Sequence, residues 1–379
     1  MASDIRLFKP SVGQEELAAI AAAFERGWLG LGGEVVAFER EFAQYLKAPA
    51  ALALNSGTAA LQLAVEAFGF PKGKKVLVNN LTFVGSATCI LVNGLVPVLV
   101  DCDPVTLGLD LEDASRKVDK DTVAIVVVHY GGQVAPMDRV MAFAREHGLK
   151  VIEDCAHSLG AGFDGRMSGT WGDAGCFSFE EKKGVTTGDG GMLVARDPEL
   201  IERMRPHRWV GIDKDTWRRR DAYTAAGDMD TRHWHYEVAV LGYKFNMNDL
   251  AACIGRVQLR KLDAFNQRRL EIINRYLGHL ARIPALSPLL PYTPGEGAYW
   301  LFGVRTLERD RLIRHLKSER IATGVHYMPL GLHPLFAEFN RDLPVSNSLW
   351  EQLLTLPLHP ELTNDEVDRT CDALAACFR

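Results

Sequence analysis

Lys182 and Lys183 stand side by side in "CFSFEEKKGVTTGDGGML", Cys176 to Leu193, behind two glutamates and ahead of a glycine-rich run. Such a pair can close a strand as a solvated charge cluster. Alternatively, one of the two is a buried amine whose lowered pKa lets it act as nucleophile or base. Lysines are usually exposed, so the segment alone leaves both readings open. The "TTGDGG" that follows is equally well explained as a hairpin turn.

Three other segments carry chemistry of a matching kind. In "ALNSGTAAL" a small-residue turn opens a helix, and the N–H groups of a helix start, with the Ser56 or Thr58 hydroxyl, can cradle a phosphate; helix capping accounts for the same residues. In "VIEDCAHSLGA" an apolar strand ends at Glu153 and Asp154, with His157 beyond. A carboxylate at the carboxyl end of a parallel strand is placed to hold a cation, and a turn or cap role for Asp154 fits as well. "NLTFVGSAT" adds an aromatic, Phe83. Pyridoxal 5'-phosphate needs a phosphate cradle, an aromatic plate, a carboxylate for the pyridine nitrogen and a lysine for the aldehyde, and all four occur here in order. ATP and NAD lack their signatures: "GFPKGKK" misses the P-loop pattern, and no G-x-G-x-x-G follows a strand.

These residues need a scaffold, and the strand patterns supply one. "KKVLVNN", "LVPVLVD", "AIVVVHY" and "KVIEDC" are apolar runs without polar alternation, as in parallel strands covered on both faces, and helical patterns such as "ASRKVDK" and "MDRVMAFAREHG" separate the later ones. The fold class expected is α/β with crossover helices. Beyond about residue 250 the pattern changes to long helices and then to short strands around "AYWLFGVRT". Pro284, Pro288, Pro291 and Pro294 mark a connection, so a large unit over 1–250 and a smaller one over 251–379 are expected.

With 379 residues, 47% hydrophobic and 24% charged, the chain has a globular composition, and no apolar run reaches the roughly 20 residues that span a bilayer. A net charge of -5 gives no overall attraction to nucleic acid or anionic lipid; only "WRRRD", with Arg218, Arg219 and Arg220, is locally basic, and a solvated loop explains it best. The start, "MASDIRLFKP", has no signal-like apolar region, so a cytoplasmic location is expected. Seven scattered cysteines without a C-x-x-C pair fit reduced thiols, and no metal is expected.

Taken together, "GWLGLGGEVVAFEREFAQYL", "NSGTAALQLAV", "NNLTFVGSATCILVNGLVPVLVDCDP", "VVHYGGQVAPMD", "VIEDCAHSLGA", "GDAGCFSFEEKKGVTTGDGGML", "LGYKFNMNDLAACIGRVQL" and "GVHYMPLGLHPLF" resemble the sugar aminotransferases of the DegT/DnrJ/StrS type over nearly the whole chain. The resemblance implies the pyridoxal-phosphate fold-type I: a mostly parallel, seven-stranded sheet between helices, a smaller C-terminal α/β domain, and an N-terminal segment that can pack on it. It implies that Lys183, four residues after the second phenylalanine of "FSF", binds the cofactor, that Asp154 pairs with the ring nitrogen, that His157 lies near the ring hydroxyl and that Phe83 stacks. Gly57, Thr58 and Ser178 match phosphate contacts. Lys244, in "GYKFNMND", falls where the family sends a residue to the partner subunit, which implies a homodimer with shared sites. His326 and Tyr327 match a segment beside the substrate. If the lysine segment is extended, Lys182 faces away from Lys183.

The departures from the family are Glu180 and Glu181, unusually acidic and therefore expected to touch substrate, and Gly184, where asparagine or histidine is common. The implied reaction is ping-pong transamination from L-glutamate or L-glutamine to a keto sugar, expected to be a nucleotide-linked keto-deoxyhexose on the way to a lipopolysaccharide or antibiotic amino sugar, with a keto cyclitol or keto-octulosonate as other acceptors. The rivals are a pyridoxal-phosphate sugar 3-dehydratase, whose kind replaces the lysine with histidine, and a non-catalytic pyridoxal-phosphate-binding regulator.

Overall fold

A computed structural model of the protein describes residues 3–212, 236–292 and 295–379. Arg218, Arg219 and Arg220 of the basic segment, and Pro294 of the connection, lie outside the described residues. Seven strands make the central sheet: β1 (Ala50–Leu54), β2 (Lys75–Asn79), β3 (Val96–Val100), β4 (Thr122–Val128), β5 (Lys150–Asp154) and, after the short hairpin of β6 (Gly162–Phe163) and β7 (Arg166–Met167), β8 (Ala174–Ser178) and β9 (Gly191–Ala195). Their order across the sheet is β1-β9-β8-β5-β4-β2-β3. β8, β5, β4, β2 and β3 are parallel, whereas β9 runs antiparallel to both β1 and β8. The carboxyl ends of β1, β5 and β8 therefore share one edge.

The helices are α1 (Gln14–Arg26), α2 (Gly33–Leu46), α3 (Gly57–Glu66), α4 (Gly85–Val92), α5 (Leu111–Lys117), α6 (Met137–His147), α7 (Pro198–His207) and α8 (Asp249–Leu280), with shorter ones after it. They cover both faces of the sheet, which is why its strands read as unbroken apolar runs. Along β4, Ala124 and Val126 join Val76, Val78 and Ile152 beneath α3 and α4, while Ile125 and Val127 join Leu77 and Val151 with Val140 and Phe143 of α6 on the other face. Where β8 and β9 pair, Phe177, Phe179 and Met192 bury against Phe38 and Phe42 of α2. Each such phenylalanine, fully removed from water, contributes roughly 1.5–3 kcal/mol.

A second sheet is small and antiparallel: β10 (Ser287–Pro288), β11 (Phe302–Arg305) and β12 (Leu353–Leu356). Its core contains Tyr276, Trp300, Phe302 and Leu354, and also Ile5, whose backbone bridges Ile321 and donates to the Arg320 carbonyl at 3.0 Å. α8 starts at an Asn248 cap, whose side chain accepts the Ala251 N–H at 2.9 Å. Its 32 residues rise about 48 Å. Leu259 and Leu262 sit in the core of α2 and β8; Ile272, Ile273, Tyr276 and Leu280 sit in the C-terminal core. Residue 250, where the composition changes, thus falls in the first turn of a helix common to both cores. Among the described residues no helix is long and apolar enough to cross a membrane.

Candidate active site

Strand ends and one helix start converge on a cavity of about 460 Å³. Its wall brings together Gly57, Thr58, Phe83, Asp154, His157, Ser178, Glu180, Lys183, His326 and Tyr327 of the residues expected from the sequence, and adds Lys182, Asp189 and Trp300. Glu181 is exposed and stands outside this wall, as does Lys244. The Lys244 backbone bridges Trp209, and its Nζ lies 3.0 Å from the Trp209 ring centroid, so within its own chain it does not reach the cavity.

β1 delivers the chain to Ser56, whose Oγ accepts the Ala59 N–H at 3.0 Å and caps α3. The capping explanation of "NSGTAAL" holds, and the same helix start, through Ser56, Gly57 and Thr58, lines the cavity. Gly57 is there for close approach. A Cβ at this position would stand 2.7 Å from the Ser178 Cβ and 3.2 Å from its Oγ. Gly85 has the same character, since a Cβ there would meet the Phe83 ring and the Thr58 Oγ1, each at 3.2 Å.

Asp154, 5% exposed at the end of β5, is held from two sides: its Oδ2 accepts the Ser86 hydroxyl at 2.7 Å and its Oδ1 accepts the Ala156 N–H at 3.1 Å. The second bond is that of a turn residue, so the turn role orients the carboxylate and leaves each oxygen a further lone pair. Its neighbour Glu153 points into the core on the other side of the sheet. There its oxygens accept the Gly169, Trp171 and Gly172 N–H groups at 2.8, 2.8 and 2.6 Å, with His129 Nε2 at 2.9 Å. His129 Nδ1 accepts the Ala135 N–H at 3.1 Å, so its Nε2 carries the proton. His129, Glu153 and Cys155 form a buried cluster of ligand-type residues, and these hydrogen bonds engage the imidazole and carboxylate in structural roles.

The lysine segment corrects one expectation. It is a turn, not an extended strand: the Lys183 N–H donates to the Glu180 carbonyl at 2.9 Å, and the Glu180 carboxylate accepts the Lys182 N–H at 3.0 Å. A turn, not strand alternation, therefore separates the lysines and turns Glu181 outward. Lys182 is half exposed, with its Nζ 3.8 Å from Glu180. Burial pushes the Lys183 pKa down to about 8 from 10.5, against the pull of Glu180 and Asp154. Beside it, Gly184 leaves room for a side chain bounded by Leu262 at 3.8 Å and by the buried guanidinium of Arg269 at 4.0 Å.

The aromatic wall is where sequence reasoning missed a residue. Trp300 sits on the segment entering β11, 4% exposed, with its ring 3.7 Å from that of His157 and 6° from parallel. A tryptophan in "AYWLFGVRT" reads as core, and only the packing of the C-terminal segment onto the cavity brings it there. Burial holds His157 well below the ordinary histidine range and His326 down to about 4, so both are neutral at pH 7. His157 Nε2 meets the Tyr327 hydroxyl at 3.1 Å, while its Nδ1 is buried without a partner among the described residues. An unpaired buried polar atom of this kind costs about 1–3 kcal/mol, which a polar ligand group would remove. The orphaned Nδ1, a helix start kept free of a Cβ at Gly57, and an oriented carboxylate facing a lysine of lowered pKa together suit a flat anionic ring carrying a phosphate and an aldehyde.

Comparison with known proteins is consistent with that geometry. Residues 10–375 match the model of the DegT/DnrJ/EryC1/StrS aminotransferase family. The chain is 38% identical to the spore coat polysaccharide biosynthesis protein SpsC of Bacillus subtilis, over 96% of this chain and 95% of that one. It is 36% identical to a dTDP-4-dehydro-2,3,6-trideoxy-D-glucose 4-aminotransferase of Saccharopolyspora spinosa, over 97% and 95%. Among solved structures, the aminotransferase TlmJ from Streptoalloteichus hindustanus superposes with a TM-score of 0.90 at 35% identity, covering 99% of both chains.

Proposed function

The chain belongs to the DegT/DnrJ/EryC1/StrS aminotransferase family and is a pyridoxal-phosphate-dependent sugar aminotransferase; on that premise we propose that it moves the amino group of L-glutamate, or of L-glutamine, to a keto sugar linked to a nucleotide. The observation that carries the assignment of residues is the pairing of a half-buried Lys183, its pKa lowered, with an oriented Asp154 across one cavity. When bound, pyridoxal 5'-phosphate supplies an aldehyde that condenses with amines and a protonated ring that draws electrons from the substrate carbon.

The rest belongs to the protein. Lys183 attacks, and takes a proton from a substrate carbon, only as the neutral amine, and it returns that proton as the ammonium. With its pKa near 8, about a tenth of it is neutral at pH 7, against about three in ten thousand for an ordinary lysine. Asp154, steadied by Ser86 and Ala156, offers its free lone pairs to a ring N–H. Gly57, Thr58 and Ser178 bind the phosphate at the start of α3, Phe83 lies against the ring, and His157 with Tyr327 borders its hydroxyl. Glu180 faces the acceptor, together with His326.

Lys244 is proposed to reach the phosphate of a second copy, which makes the working unit a homodimer. The large unit, 1–250, carries the cofactor site, the smaller, 251–379, closes it, and α8 is their shared spine. A cytoplasmic location fits an enzyme of activated sugars. The test is incubation with L-glutamate, and separately L-glutamine, and a panel of nucleotide-linked keto sugars, read by mass spectrometry. Exchange of a ketone oxygen for nitrogen with release of the keto acid supports the proposal; loss of oxygen without gain of nitrogen, or no change in any acceptor, overturns it.

A further inference from the structure

Trp300 contacts the lysine turn twice and the facing wall once. Its Nε1–H donates to the Lys182 carbonyl at 2.9 Å, its ring lies under the Lys183 Nζ at 4.2 Å from the centroid, and its plane rests on His157. Phe8 stacks on it at 5.3 Å and His326 meets it edge-on at 5.4 Å, while its backbone N–H donates to the Gly131 carbonyl at 3.1 Å. The indole is thus fixed by four separate parts of the chain, and the lysine turn is fixed to the indole.

We propose that Trp300 is a positioning residue for the reaction: one ring face receives the Lys183 amine whenever it is free, and one N–H holds the turn that bears it. This rests on reading Lys183 as the cofactor-binding lysine. During transamination that amine must be released and yet remain within reach of the substrate carbon, and a flexible four-carbon chain would otherwise sample many positions. The ring gives it one position, attractive to the protonated form through the aromatic quadrupole. The charged and titratable groups that face Lys183 are Glu180 and Lys182 on its own turn, Asp154 and His157 beyond β5, and His326 from the C-terminal segment. Trp300 adds attraction for the cation without adding a charge, where a second carboxylate would raise the amine out of its working range.

The test uses the full-length protein stripped of cofactor. Lysines are pulse-labelled with an amine reagent across pH 6–11 and the peptide holding Lys182 and Lys183 is quantified by mass spectrometry, Lys182 serving as internal reference. Trp300→Phe keeps a ring face, and the Lys183 midpoint stays within a few tenths of a unit. Trp300→Leu keeps an apolar wall without the face, and the midpoint falls by about one unit, the tenfold equivalent of a desolvated cation–π contact. A midpoint in Trp300→Leu that is unchanged or raised overturns the role of the face. Trp300→Phe also lacks the N–H, so its capture of pyridoxal phosphate slows roughly three- to tenfold; capture at the wild-type rate overturns the role of the N–H. Should Trp300→Leu fail to fold, the capture rate of Trp300→Phe carries the test. A Lys183→Ala protein that still forms the visible cofactor band would instead sink the lysine assignment itself.

Discussion

Adding one methyl group at Gly57 tests the phosphate cradle most directly. In Gly57→Ala the new Cβ lies 2.7 Å from the Ser178 Cβ and 3.2 Å from the Ser178 Cα, about 1 Å inside the 3.5–4.0 Å at which carbon atoms attract. Ser178 cannot retreat easily, because it pairs with Gly191 across β8 and β9, and Phe177 and Phe179 on either side of it are buried. The first turn of α3 must give way instead, and that turn is the proposed cradle. Overpacking of this kind costs about 1–3 kcal/mol. We expect urea unfolding of the cofactor-free protein to lose roughly that amount, and the dissociation constant for pyridoxal phosphate, from absorbance titration, to rise between about 5- and 150-fold. Normal affinity combined with the stability loss would place the phosphate elsewhere; normal affinity and normal stability would show that the close approach itself is wrong.

Other expectations follow from the same geometry. Lys183→Ala should abolish the visible band of the bound cofactor while Lys182→Ala retains it, and the reverse outcome would exchange their roles. The rate of cofactor capture should rise about tenfold per pH unit up to pH 8 and then level off, whereas a rise continuing towards 10.5 would mean that Lys183 is solvated. Because the folded value lies below the unfolded one, the unfolded chain holds this proton between pH 8 and 10.5. Lys183 therefore contributes stability that grows as pH rises through that window, measurable as a urea midpoint difference from Lys183→Met without cofactor. Ser86→Ala removes a 2.7 Å donor to Asp154 worth about 1.5–3 kcal/mol, so kcat should fall roughly 10- to 150-fold; an unchanged kcat would show that Asp154 needs no such support.

Much of the scaffold was legible because it follows from local rules. Unbroken β-branched runs such as "AIVVVHY" have no polar face to spare, so they demand helices on both sides, and the small residues after β1 and before β9 demand a turn. The ordered motifs located Lys183, Asp154, Phe83 and Gly57, since each lies within a few residues of a strand end, where chain direction alone sets its neighbourhood. Extended geometry at the paired lysines, the condition on which they were expected to face apart, does not hold: Glu180 supplies both a carbonyl and a carboxylate that fold the segment into a turn, and no periodicity reveals that.

Tertiary structure decided what depends on distant segments. Whether Glu180 or Glu181 lines the cavity is a matter of the turn's orientation, and only Glu180 does so. Glu153 and Asp154 are adjacent in sequence and opposite in role, one saturated by three N–H groups from the 169–172 loop and the other left with open lone pairs. Trp300 lies 117 residues beyond Lys183, in a strand of the second sheet by sequence pattern and at the wall of the cavity by packing. The chain's local preferences determined where strands end and which reactive side chains stand there. The low dielectric that lowers the Lys183 pKa, and the aromatic wall that holds its amine, exist only once the C-terminal segment closes over them, because desolvation is a property of everything that surrounds a group and not of its neighbours along the chain.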